Sequence, residues 1–362
     1  MGILKKVAGQ DRADELLSRS YSKGRLAHSY LFAGPSGVGR LTAALELAAA
    51  WMCEEDKDGY CGECRDCIRV FRFEHPDVRL TIPELGSTKP EEIAKLLKSR
   101  VDDGVSPLRL AGNIRISIDR IREMGERLSK KAFENKGHLE IITYADTMGV
   151  EAANALLKTL EEPPDETVII LISSKWSALL PTVRSRSHLV RFRRLNEDTI
   201  RGILMDRLAL GEEDARDIAR ACDGRPGIAL LNALNPSEAE FKYGPENVLR
   251  MITECRSGWS AVALATEVAR KLGRERSLEF CRIMQTFIHD LRRCTFDKEP
   301  VVHPPGILQG FSIDEHACGC GVELFRMAET RIAGNGMPGV VLAAAFTGMW
   351  KSIIRSGKES LN

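Results

Sequence analysis

The chain has 362 residues, of which 28% are charged and 43% hydrophobic, and its 52 Lys and Arg against 51 Asp and Glu leave a formal charge of +1. That length holds two or three domains with a sizeable core, and the near-zero balance excludes a protein that binds nucleic acid through bulk charge. The opening MGILKKVAGQDRADELL is charged and has no apolar core of a signal peptide, and no run approaches the roughly eighteen apolar residues of a membrane span, so a cytoplasmic setting is expected.

Ala13 to Ser22 reads as a helix, and His28 to Ala33 as a buried strand. Gly34-Pro35-Ser36-Gly37-Val38-Gly39-Arg40-Leu41-Thr42 follows, and then the helical run AALELAAAWM. Strand, glycine-rich loop and helix in that order form the context of a phosphate-binding P-loop. Here the lysine that reaches the β and γ phosphates is replaced by Arg40, and the Ser or Thr that holds magnesium by Leu41. Thr42 lies one residue late, about 100° around the helix, and does not substitute. Backbone N–H groups from Gly37 to Arg40 can still cradle an anion. Gly34, Gly37, Gly39, Arg40 and Thr42 are therefore candidate contacts of a degenerate nucleotide site, the alternative being a tight turn that only packs strand on helix.

Four of the ten cysteines, Cys53, Cys61, Cys64 and Cys67, lie within fifteen residues in the spacing C-x7-C-x2-C-x2-C. In a reducing compartment such a cluster points to metal rather than disulfides. Four soft thiolates suit tetrahedral zinc in a closed, structural site. The ferredoxin spacing for iron and sulfur places the fourth cysteine three residues after the third and follows it with proline, whereas Cys67 precedes Ile68. Unmetallated thiols are the remaining alternative.

Val78 to Ile82 reads as a strand, and Pro83 to Asn113 as a polar loop with one short helix from Pro90 to Arg100. A helix opens near Asp119, whose charge suits its N-terminus, and His138 to Thr143 reads as a central strand. Asp146 is expected to cap a helix starting near Gly149. That helix buries Ala153, Leu156, Leu157 and Leu160 and ends at Pro163 and Pro164. Thr167 to Ser173 is rich in β-branched residues and reads as a buried strand, after which Arg186 stands on the polar turn Ser185-Arg186-Ser187. Leu195 to Leu231 reads as a small helical bundle. Beyond Asn235-Pro236 come amphipathic helices such as Ala261 to Leu272 and Ser277 to Arg293, then an apolar stretch from Val340 to Met349. His316-x-Cys318-x-Cys320 has metal-like residues without a fourth ligand and reads as a loop with buried thiols.

The eleven-residue phrase NALLKTLEEPP, together with TVRSRS, Gly9-Gln10 and HSYLFAGPSGVGR, resembles the AAA+ subunits of bacterial clamp loaders, over roughly residues 5 to 235. The resemblance implies a RecA-like α/β AAA+ domain over 1–194 carrying a zinc module at about 53–67, a helical lid over 195–235 and an all-helical collar over 236–362. It places the Walker B acids at Thr143 and Tyr144, neither of them acidic. It places the sensor-1 hydroxyl at Ser173 or Ser174 and the sensor-2 arginine at Gly227, leaving Arg225 out of register. It implies structural zinc, gamma/tau motor subunits and a delta subunit as partners, and the sliding clamp and primed DNA reached through the complex. Arg186 is then an arginine finger offered in trans to ATP on a neighbour, with no independent ATPase activity and the polymerase activity in another subunit. An active clamp-loader ATPase and a zinc-dependent DNA-binding module are the alternatives.

Overall fold

In a computed structural model, described for residues 2–359 apart from 57, 86–89, 105–107, 109–113, 135, 235–243, 297, 302, 304–307, 309 and 312, the chain divides into two compact units, Met1–Ala233 and Leu234–Asn362. The expected boundary at Asn235-Pro236 and part of the Pro83 to Asn113 path lie outside the described residues.

The first unit opens with helix α1 (Asp11–Ser22), strand β1 (Ser29–Ala33), α2 (Arg40–Met52) and the short α3 (Arg65–Phe71). Next come β2 (Val78–Thr81), β3 (Glu84–Leu85), α4 (Pro90–Asp103) and β4 (Ile114–Arg115), β3 and β4 forming a separate antiparallel pair. Then follow α5 (Ile118–Leu128), β5 (His138–Ile142), α6 (Val150–Glu161), β6 (Thr167–Ser173), α7 (Pro181–Ser185) and β7 (His188–Arg191). Three helices end the unit: α8 (Glu197–Leu208), α9 (Glu212–Ala221) and α10 (Pro226–Leu234).

The main sheet is parallel throughout, in the order β2-β5-β6-β1-β7. Every residue of β1, β5 and β6 is buried, because helices cover both faces and leave no solvent side to demand alternation. Successive side chains nonetheless go to opposite cores. Tyr30 and Phe32 of β1 join Ile170 of β6 and the alanine-rich face of α2, while Leu31 joins Ile169, Leu171 and the buried residues of α5 and α6. The chain leaves β1 toward β2 on one side and later reaches β7 on the other, so the loop after β1 lies at a topological switch point, where ligands of such sheets bind.

Glu140 and Glu46 are two of the buried acids that the sequence did not announce. Glu140, in the middle of β5, accepts from Thr81 Oγ1 at 2.5 Å and Arg127 Nη2 at 2.9 Å. Glu140→Gln removes the charge that holds Arg127, and we expect urea unfolding to report a loss of about 1–3 kcal/mol. No change would mean that the half-exposed Arg127 finds water just as readily. Glu46, inside the apolar α2, accepts from Lys6 N at 2.5 Å and Tyr60 Oη at 2.6 Å. Burial raises its pKa, opposed by those two hydrogen bonds.

Asp119 does sit in the first turn of α5, but the cap is Ser117, whose hydroxyl accepts from Arg120 N. A small apolar cluster of Ile200, Leu204, Ala215, Ala219 and Leu230 joins α8, α9 and α10.

The described elements of the second unit are helical: α11 (Pro245–Thr253), α12 (Gly258–Cys294), α13 (Glu315–Ala333) and α14 (Pro338–Glu359). Phe280, Phe325 and Phe346 meet at its centre. The two helices expected over 261–272 and 277–293 are present within α12, separated at Gly273, whose φ of 67° and ψ of −174° are not helical. His316, Cys318 and Cys320 lie on α13 rather than in a loop. Asp314 caps that helix through Ala317 N, Cys318 is buried, and Cys320 Sγ stands 3.7 Å from His316 Nε2 one turn back. Among the described residues, no helix is long and apolar enough to cross a membrane.

Candidate functional site

The glycine-rich loop connects β1 to α2 and faces the C-terminal ends of β5 and β6. Gly34 admits no side chain, since a Cβ there would stand 2.3 Å from the Phe192 carbonyl oxygen. Gly37 has φ of +85°, and a Cβ would lie 2.9 Å from Ile228 Cγ1 of α10. Gly39 is the N-cap of α2. Buried Gln10 joins the N-terminal segment to this loop and to the segment after β7: its Nε2 donates to Val38 O at 3.4 Å and Arg193 O at 2.7 Å, and its Oε1 accepts from Arg193 N at 3.0 Å.

Arg40 is 8% exposed. Its Nη2 donates to Ser174 Oγ at 2.8 Å, while Nη1 is buried without a hydrogen-bond partner. Burial pulls its pKa down to about 10, with Asp146 and Tyr144 opposing that shift, so the guanidinium remains charged near neutrality. Thr42 is occupied elsewhere, accepting from Arg100 Nη2 of α4 at 2.6 Å. Thr143 Oγ1 donates to Thr81 O, and Tyr144 Oη donates to Leu108 O at 2.6 Å. Asp146 does not cap α6, whose N-cap Gly149 receives no side-chain bond. It lies in the 3-10 turn Ala145–Thr147 and accepts from Ser173 Oγ at 2.5 Å, because that turn aims its carboxylate at the end of β6. Gly227 opens α10 directly against the loop, donating N–H to Gly37 O at 2.8 Å, and a Cβ there would stand 3.0 Å from that oxygen. Arg225 Nε donates to Cys222 O at 3.2 Å. The loop thus offers backbone N–H groups and a buried cation but has no lysine, no magnesium-holding hydroxyl at its helix start and no acid at the end of β5.

Arg186 is the C-cap residue of α7, just before β7, and lies with His28 and Glu161 at the N-terminal end of the strands, opposite the glycine-rich loop. Buried Val183 anchors the turn, and Ser187 Oγ lies 2.9 Å from Ser29 Oγ. The Arg186 side chain is 38% exposed, with Nη2 2.7 Å from Glu161 Oε1 and Nη1 donating to Thr182 O at 3.2 Å. It borders an open recess of about 610 Å³ also lined by His28, His188 and Leu189.

The sulfurs of Cys53, Cys61, Cys64 and Cys67 all lie within 4.8 Å of one another. Cys61 and Cys67 are 3.9 Å apart, and Cys53 and Cys64 4.0 Å. Zn–S bonds of about 2.3 Å in a tetrahedron put sulfurs about 3.8 Å apart, so the donor set fits zinc. Backbone N–H groups of Cys61, Cys64 and Cys67 point at the sulfurs of Cys53, Cys61 and Cys64, as suits thiolates. The N–H groups at Glu63 and Cys64 hold the Cys61 pKa down to about 7, whereas burial raises that of Cys67.

The family model described as "DNA polymerase III, delta subunit" matches residues 9–196, just over half of the chain. The chain belongs to that family. A DNA polymerase III subunit delta' of Bacillus subtilis is 36% identical over 197 residues, covering 54% of this chain and 51% of that protein. The subunit delta' of Pseudomonas aeruginosa is 34% identical over 172 residues, covering 47% and 44%. A gamma/tau subunit of Mycobacterium tuberculosis is 28% identical over 255 residues, covering 70% of this chain and 37% of the relative. The chain therefore spans about half the length of the delta' relatives it matches.

Most of the residues singled out from the sequence fall inside the stretch matched by the DNA polymerase III delta family. The glycines of the β1–α2 loop, Arg40, Thr143, Tyr144, Ser173 and Ser174 come together at the C-terminal end of the central strands, and the four cysteines at one point. Arg186 stands apart from the P-loop, beside Glu161 at the end of α6. Sequence reasoning missed Glu161 as its partner and Arg100 as the partner of Thr42. The signal for Glu161 was present in LEEPP, an acid at the end of a helix, where it opposes the dipole and calls for a cation.

Proposed function

We propose that this member of the DNA polymerase III delta family is a non-hydrolysing, AAA+-type subunit of the clamp loader that lends Arg186 in trans to ATP held by a neighbouring gamma/tau motor subunit. The observation that carries this reading is Arg186 itself, a partly exposed guanidinium on a turn anchored by buried Val183, in a chain whose own glycine-loop cation is buried against Ser174. A guanidinium presented this way can reach a γ-phosphate and stabilise the charge that develops on phosphoryl transfer. Residues 1–194 then act as the AAA+ domain, 195–235 as its lid and 236–362 as the collar that joins a ring with gamma/tau and delta subunits. The sliding clamp and primed DNA are reached through that assembly. In this reading Cys53, Cys61, Cys64 and Cys67 hold structural zinc, which closes the 53–67 segment and takes no part in turnover.

The purified chain is expected to show no magnesium-dependent ATP turnover. Arg40→Lys with Leu41→Thr is expected not to create it, since Thr143 and Tyr144 still supply no carboxylate. Added to motor subunits, delta subunit, clamp and primed DNA, the chain is expected to raise turnover and complete loading. Turnover by the chain alone would identify an active motor, and an assembly indifferent to its presence would remove the trans role.

A further inference from the structure

The arginine just assigned to a neighbour's nucleotide is already engaged. Glu161 Oε1 stands 2.7 Å from Nη2, and the Thr182 carbonyl takes Nη1. Glu161 is the last residue of α6, where the helix leaves unpaired carbonyls and the negative end of its dipole. A carboxylate there is poorly placed by itself, and an external guanidinium relieves it. The recess beside the pair is lined by His28 and His188 as well as Arg186, and Glu161 is its sole acid among the described residues. An arriving anion therefore meets one carboxylate, already holding the cation it needs.

On the reading of Arg186 as a trans finger, we propose that Glu161 is a positioning residue that parks Arg186 and competes with the neighbour's polyphosphate for it. The guanidinium fork can exchange one carboxylate oxygen for phosphate oxygens, because its five N–H groups lie in one plane and match either acceptor. A phosphate carries more charge and can accept two parallel bonds, so it displaces the carboxylate. Glu161 thus raises the nucleotide concentration at which the finger engages, while leaving the engaged state unchanged. Both partners are partly exposed, with side chains 38% and 51% accessible, so the competition is worth only about 1.5- to 5-fold.

The test is steady-state ATP turnover of the reconstituted complex, with clamp and primed DNA, against ATP concentration, using Glu161→Gln, Arg186→Ala and the double variant. Glutamine keeps the shape and removes the charge. Glu161→Gln is expected to lower the half-saturating ATP concentration about 1.5- to 5-fold with maximal turnover within 2-fold of the parent. The double variant is expected to match Arg186→Ala alone. If Arg186→Ala lowers turnover while Glu161→Gln leaves half-saturation unmoved, the parking role is overturned and the finger stands. A fall in maximal turnover with Glu161→Gln would also overturn it, since Glu161 would then hold the finger in its working position. An Arg186→Ala complex with full turnover would overturn the finger and the parking role together.

Discussion

Replacing Arg186 with alanine in the reconstituted complex is expected to lower turnover at the facing ATP site by about 10³-fold or more, the low end of what an arginine finger supplies. The reason is local. No other residue of the 181–187 segment offers a cation on the exposed side of that turn in the same fork geometry: Arg184 lies over the Trp176 ring, 5.5 Å from its centroid. Arg186→Lys should recover only a small part, because a point charge on a flexible stem loses the planar, two-bond grip. The same substitution should barely affect folding. Arg186 is a partly exposed cap whose ion pair is worth less than about 1 kcal/mol, and Val183 and Ser187 hold the turn without it. Thermal unfolding of the isolated variant within about 2 °C of the parent, beside a collapsed rate in the complex, would locate the effect in trans. Undiminished turnover would end the finger assignment.

Metal content gives the second large effect. The purified chain is expected to carry one zinc per molecule by elemental analysis. Removing it with a strong chelator, or by Cys67→Ser, is expected to cost about 3 kcal/mol, the loop-closure entropy of a fifteen-residue segment. In a unit of this size that corresponds to a fall of roughly 6–12 °C in Tm. Cys67 is the sharpest probe because it is buried, and burial opposes its ionisation unless a metal takes the thiolate. The loss should spread beyond the cluster. Tyr60, next to Cys61, donates to Glu46 inside α2, and Lys136 Nζ donates to Met52 O and Cys53 O at the end of that helix. A chain free of zinc with unchanged stability would leave the four cysteines as packed thiols.

What the sequence made legible was the part set by local pattern. β6 was readable as Thr167 to Ser173 because a run of β-branched residues that short suits only a buried strand. The glycine-rich loop between β1 and α2 was readable because glycines between a strand and a helix leave few other structures. Contacts made across long separations were not readable. Arg100 reaches Thr42 from 58 positions away, and nothing near either residue announces the other. Asp146 looked like a cap because acids before helices usually are, but β6 brought Ser173 within 2.5 Å and took the carboxylate first. The helix over His316 to Cys320 was read as a loop because its glycines and cysteines are poor helix formers, and tertiary packing on Phe325 and Phe346 outweighs that preference. At Gly273 the break expected from sequence is present, because φ of 67° and ψ of −174° take the backbone out of the helix.

The strand order has a bearing on how the molecule is made. Tyr30 of β1 pairs with Ile170 on one side and His188 on the other, and Gln10 with Arg193. A ribosome adding about 5–20 residues per second makes β1 wait on the order of ten seconds for either neighbour. During that interval Ser-Tyr-Leu-Phe-Ala, wholly buried in the finished sheet, is an uncovered adhesive edge in a nascent chain. Refolding yield is therefore expected to fall as protein concentration rises, because unpaired β1 edges then meet one another before β6 and β7 cover them.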